Sequence, residues 1–85
     1  MKRLYGPHCL EDVLLAYFPE EPTHISKLAK LLSKAEMSSV AGAASRLCLR
    51  QFLDRAARGV YTINEKGRQR RPQLHARLQK EGIHP

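Results

Sequence analysis

The chain has no tryptophan and only two cysteines, and aromatic residues make up 6% of its 85 positions. Two thiols, Cys9 and Cys48, give neither a disulfide framework nor a metal-ligand spacing. Each falls inside a helical apolar pattern, so buried free thiols are expected. No apolar run approaches the roughly 18 residues of a membrane span. The Met-Lys-Arg start is followed by too little apolar sequence for a secretory signal, and a cytoplasmic protein with no membrane partner is expected. The four histidines, His8, His24, His75 and His84, are scattered without ligand spacing. Ser38-Ser39 follows no strand and has no glycine elbow, and there is neither a glycine-rich phosphate loop nor a pair of carboxylates set to split their pKa values. No enzyme, cofactor or metal is expected.

What is present suits one folded domain: 42% of residues are apolar and 27% charged, enough for a small core. The charge is unevenly placed. Residues 1–45 hold five Lys/Arg and five Asp/Glu, whereas residues 46–85 hold ten and three, so the whole net charge of +7 comes from the second half. A polyanion partner follows from that asymmetry, against the plainer alternative of a solvated basic surface.

Along the chain, Gly6-Pro7 is a turn signal before a first helix in which Leu10, Val13, Leu14, Tyr17 and Phe18 share one face, with Glu11 and Asp12 in its first turn. Pro19 and Pro22 bracket its exit. A second amphipathic segment carries Ile25, Leu28, Ala29, Leu31 and Leu32 inward and Lys27, Lys30 and Lys34 outward, with Thr23 or Ser26 as the N-cap. A turn over Ser33 to Met37, with Ala35 or Met37 as its buried residue, leads to a third helix from Ser38, which serves as N-cap. There Val40, Ala44 and Leu47 form a core face, and Ser38, Gly42, Ser45, Arg46 and Leu49 lie opposite, free for a partner. Two short β-prone runs follow, Phe52-Leu53 and Val60 to Ile63, joined by Asp54 to Gly59 with Arg55 and Arg58 near the tip. The C-terminal stretch holds Arg68, Arg70 and Arg71, then Pro72 at the first turn of a last helix. Its Leu74 and Leu78 pack within the chain, against a second copy, or in a loose basic arm, and residues 82–85 are expected to fray.

The runs SRLCLRQFLDR and VYTINEKG, with THISKLAKLL before them, resemble the winged helix-turn-helix domains of small bacterial and phage regulators. In that family a recognition helix ends in a run such as SRLxxRGLLxR and the wing returns as xYxLTxKG. The likeness covers about residues 9–67, leaving 68–85 as a basic extension. It departs at Gln51, where the family commonly has glycine, and at Gly42, a helix-interior glycine costing roughly 1 kcal/mol relative to alanine. It implies a mainly α fold with a small β-hairpin: a three-helix core, a wing, and a short additional C-terminal helix, with Ile25 as the short β-bridge before the second helix. The implied function is transcriptional regulation on double-stranded DNA, the helix from Ser38 in the major groove.

On that reading Ser38, Ser39 and Ser45 offer hydroxyls, Gly42 lies at the groove, and Arg46 is the long donor able to take guanine bidentately. The amides at the start of that helix offer a phosphate site. Lys34, Arg55, Arg58, Arg68, Arg70 and Arg71 are then phosphate contacts. Two other partners stay open. One is a protein, host-directed in the phage manner or a second copy, held through Leu49, Leu74 and Leu78; the other is RNA on the same surface.

Overall fold

The computed structural model describes Tyr5 and residues 8–85. Four helices and a three-stranded antiparallel sheet follow in the order α1 (Leu10–Ala16), β1 (Thr23–His24), α2 (Ile25–Leu31), α3 (Met37–Leu49), β2 (Leu53–Ala57), β3 (Val60–Ile63) and α4 (Glu65–Lys80). The sheet order is β1-β3-β2.

Helix α1 buries more than its predicted stripe. Val13, Leu14 and Phe18 are in the core, Leu10 and Tyr17 are half-buried, and Leu15 and Ala16 are buried as well. The extra burial fits the packing of α1 against two helices, α4 as well as α3. In place of three core helices and a short terminal one, α4 is the longest helix, and Leu74 and Leu78 are 1% and 0% exposed within it. These two leucines therefore belong to the chain's own core and are not a contact for another molecule; their burial contributes roughly 1.5–3 kcal/mol each. Asn64 caps α4, its side chain accepting from the Gly67 amide at 2.9 Å. Pro72 sits inside the helix and not in its first turn. It offers no N–H to the Arg68 carbonyl, yet the helix continues past it to bury the leucines.

The chain after α4 is tied down: the Tyr17 hydroxyl donates to the Ile83 carbonyl at 2.8 Å, and the Lys34 ammonium to that of His84 at 3.4 Å.

The N-cap of α2 is His24, whose Nδ1 accepts from the Ser26 amide at 3.1 Å. Its ring does the work expected of Thr23 or Ser26, because Thr23 is drawn into the sheet. There β1 pairs with β3, Thr23 opposite Tyr61 and His24 opposite Val60. Ile25, the expected bridge residue, instead opens α2 and donates its amide to the Gly59 carbonyl at 2.8 Å. Leu28 and Leu32 are fully buried.

The cap of helix α3 falls two residues before the expected Ser38. Glu36 is its N-cap, without a side-chain hydrogen bond, so Ser38 lies in the first turn and is no cap. Its core face holds Val40, Ala43, Ala44 and Leu47. In the turn before it Ala35 packs on the core, whereas Met37 is 52% exposed. At its other end the Gln51 amide bonds the Cys48 carbonyl and the Phe52 amide bonds that of Leu47, both at 3.0 Å. This double closure requires a left-handed residue after the cap, and Gln51 supplies it with φ 67°. The position where the sequence departs from the glycine of the resembling family is thus one that favours glycine.

The hairpin is longer than the β-prone runs implied. Leu53 to Ala57 pair with Val60 to Ile63 through a bulge between Arg55 and Ala57, and only Arg58-Gly59 remain for the turn. Gly59 there takes φ 74°. Low β-propensity at Asp54 to Ala57 is overridden by pairing to β3. On β2 only Leu53 is buried; on β3, Tyr61 and Ile63 are.

Candidate nucleic-acid interface

The exposed side of α3 is uncovered. Ser38, Ser39, Arg46 and Leu49 are exposed and Ala41, Gly42 and Ser45 half-buried, and Leu49 at 84% is the most exposed large apolar side chain among the described residues. A Cβ at Gly42 would meet only the terminal NH1 of Arg46, at 3.3 Å. Gly42 is accordingly not a site of close backbone packing within the chain. It leaves room on the surface, and the Arg46 side chain occupies it by folding back one turn towards the helix start, as long helical side chains do.

Arg46 is not a free donor. Its Nε donates to Glu11 Oε1 on α1, and the NH1 of Arg50 lies 3.3 Å from Glu11 Oε2. Glu11 is sheltered, with its side chain 17% exposed, while that of Arg46 stays 55% exposed. The pair is stronger than a fully solvated one, because the carboxylate has lost most of its water. Glu11 and Arg50 carry no signal along the sequence for this role; the i, i+4 spacing of Arg46 and Arg50 suggests only that both lie on one helix face.

The hairpin's arginines separate. Arg58 is at the turn and exposed. Arg55 lies in β2, away from the tip, its guanidinium 5.5 Å from the centre of the Tyr61 ring and its NH2 3.3 Å from the Tyr61 hydroxyl. Stacked in this way it keeps its charge at the surface and loses freedom of movement. Beside it, Phe52 lies between the cations of Arg50 and Lys66, 5.2 and 4.9 Å from its ring centre.

The three arginines of α4 do not form an open basic cluster. Arg68 Nε donates to Glu20 Oε1 at 2.6 Å, and Arg71 donates to Glu20 Oε2 at 2.5 Å and to the Phe18 carbonyl at 2.9 Å. The two guanidiniums hold the Glu20 carboxyl below its ordinary range, Arg71 contributing most. Arg70 bonds Gln73 at 2.9 Å. Arg68 and Arg71 therefore latch the segment after α1 onto α4, and as phosphate contacts they would first have to leave Glu20. An open cleft of about 370 Å³ beside them is lined by Ala16, Arg68, Arg71, Pro72, His75 and Ala76. Lys34 is likewise engaged, its ammonium 5.5 Å from the centre of the Tyr5 ring.

Of the expected nucleic-acid residues, then, α3 brings together Ser38, Ser39, Gly42, Ser45 and Arg46, and the hairpin carries Arg55 and Arg58. Arg68 and Arg71 share the Glu20 carboxylate, Arg70 bonds the neutral Gln73, and Lys34 bonds the His84 carbonyl and lies near the Tyr5 ring. The thiols also differ from expectation: Cys9 is exposed because it precedes α1, and Cys48 is half-buried at the edge of α3. Among the described residues no helix is long and apolar enough to cross a membrane. Comparison with family models, curated proteins and solved structures found no match to this chain.

Proposed function

We propose that this chain is a winged helix-turn-helix DNA-binding module that inserts the exposed side of α3 into the major groove and rests the β2–β3 hairpin on the phosphate backbone. The observation that carries the proposal is the exposed side of α3. It is long enough for a groove, built from small and hydroxyl side chains, with Ser38, Ser39, Arg46 and Leu49 exposed, and crossed by one guanidinium. The element order supports it: a short strand before α2, two helices joined by a short turn, and a hairpin directly after α3, as the sequence resemblance implies. Gln51 at φ 67° supports it too. Small residues let the helix backbone approach base edges, and serine hydroxyls bond either bases or phosphates. Such a module, one among small transcriptional regulators, would use Arg58, and Arg55 behind it, to set register without reading sequence.

A protein partner is the second reading. It is favoured by Leu49 and Met37, exposed at the two ends of the same helix.

The salt dependence of binding tests the DNA proposal. Titration of a labelled duplex across salt concentrations should give a linear fall of log K with log salt, and Arg58→Ala should lower the slope by about 0.9 if it neutralises one phosphate. An unchanged slope removes the hairpin from the interface. Binding without salt dependence removes DNA.

A further inference from the structure

We propose that Glu11 is a positioning residue that presets Arg46 as a reader of guanine, with Gly42 as the space in which the reading edge lies. This rests on the DNA proposal above and deepens it. The guanidinium has three nitrogens, and the structure divides them. Nε is held by Glu11 Oε1. NH1 lies over the bare backbone of Gly42, where a Cβ would come within 3.3 Å of it. The Arg46 side chain is 55% exposed, and NH1 and NH2 make no hydrogen bond with protein among the described residues, so the outer two nitrogens keep their donors unspent.

Guanine presents two acceptors, O6 and N7, on its major-groove edge, and two parallel N–H groups of a guanidinium match them. An arginine free to rotate loses much side-chain freedom when it makes that pair. Here the loss is taken largely on folding, because Glu11 fixes the inner nitrogen and its second oxygen is held in turn by Arg50 at 3.3 Å. With its side chain 17% exposed, Glu11 faces the groove little itself and repels phosphates less than a surface carboxylate would. Gly42 completes the arrangement: a larger side chain there occupies the volume in which the fork lies.

The roles predict opposite movements of specificity and of general affinity or stability. Duplexes selected by the wild type from a random pool, and the same duplexes with each guanine replaced in turn, are titrated with wild type, Glu11→Ala and Gly42→Leu at one moderate salt concentration. Glu11→Ala should lower the preference for one guanine about tenfold, while binding to random DNA stays level or rises because a negative charge is gone. Gly42→Leu should lower the same preference at the same position although leucine is the better helix former, so its melting temperature should not fall. Retained preference in both variants overturns the inference and leaves the DNA proposal standing. A parallel loss of specific and random binding overturns it too, since a merely structural Glu11 behaves so. A wild type that prefers no sequence over random competitor overturns the DNA proposal and this inference together.

Discussion

Gly42 and Gly67 both lie inside helices, and replacing each by alanine should move stability in opposite directions. On helix propensity alone the two changes are equivalent, each gaining up to about 1 kcal/mol. Their surroundings are not. A Cβ at Gly42 meets one movable guanidinium nitrogen at 3.3 Å, whereas a Cβ at Gly67 stands 2.2 Å from the Phe52 carbonyl oxygen and 2.7 Å from Ile63 Cγ1. The oxygen belongs to the backbone that also receives the Asn64 amide at 3.4 Å, so the first turn of α4 has to withdraw on the order of 1 Å from a close-packed neighbour. Overpacking of this kind costs about 1–3 kcal/mol, sometimes more, and contact with main chain lies at the upper end. Less the propensity gain, Gly67→Ala should therefore lose about 1–2 kcal/mol net, and Gly42→Ala should gain about 0.5–1. Urea unfolding followed by helical circular dichroism measures both. In a domain of this size 1 kcal/mol shifts the melting temperature by roughly 4–8 °C, so the difference in sign is easily read. Equal gains at both sites would refute the close approach of α4 to the strand entry.

Gln51→Gly should raise stability by up to about 1 kcal/mol, since the left-handed φ of 67° costs a side-chain-bearing residue roughly 1–2 kcal/mol, partly offset by glycine's extra freedom when unfolded. A fall in melting temperature would contradict that geometry. The Glu20 latch predicts a pH effect of definite sign. Its carboxyl is held below the ordinary range by Arg71 and Arg68. Its contribution is present above the unfolded-chain pKa and is lost as pH falls through the lower folded value. Glu20→Gln should therefore melt earlier than wild type at neutral pH, and the two should converge on acidification. A gap that persists at the acid end of the titration rules the latch out.

Local patterns made much of the fold readable and left the rest to tertiary contacts. The stripe Val40, Ala44, Leu47 is periodic over a whole helix, and Leu28 and Leu32 over another, so the elements and their inner faces could be placed. Helix α4 was underestimated because its only apolar signal is Leu74 and Leu78 amid charge, and Pro72 looks like a beginning; what stabilises it is burial against α1. The hairpin was shortened because Asp54 to Ala57 prefer no strand by themselves, and pairing to β3 decides. At the site, the small outer face of α3 is evident from the helical wheel, but the states of its charges are not. Glu11 and Arg46, or Glu20 with Arg68 and Arg71, are separated in sequence by 35, 48 and 51 residues. Nothing local announces such pairs, so a net charge spread over the second half overstated the cations free to meet a polyanion.

Whether α3 reads DNA is decided by titration of a selected duplex, against random competitor at moderate salt, with Arg46→Ala and with Leu49→Ala. If α3 lies in the major groove, Arg46→Ala loses about 1–3 kcal/mol of discrimination at one base position, because Arg50, the other guanidinium on that face, sits one turn further along at the helix end, and Leu49→Ala changes little. If no duplex is preferred over random DNA, while Leu49→Ala abolishes binding to a protein partner, the helix is a docking surface and the DNA reading is wrong.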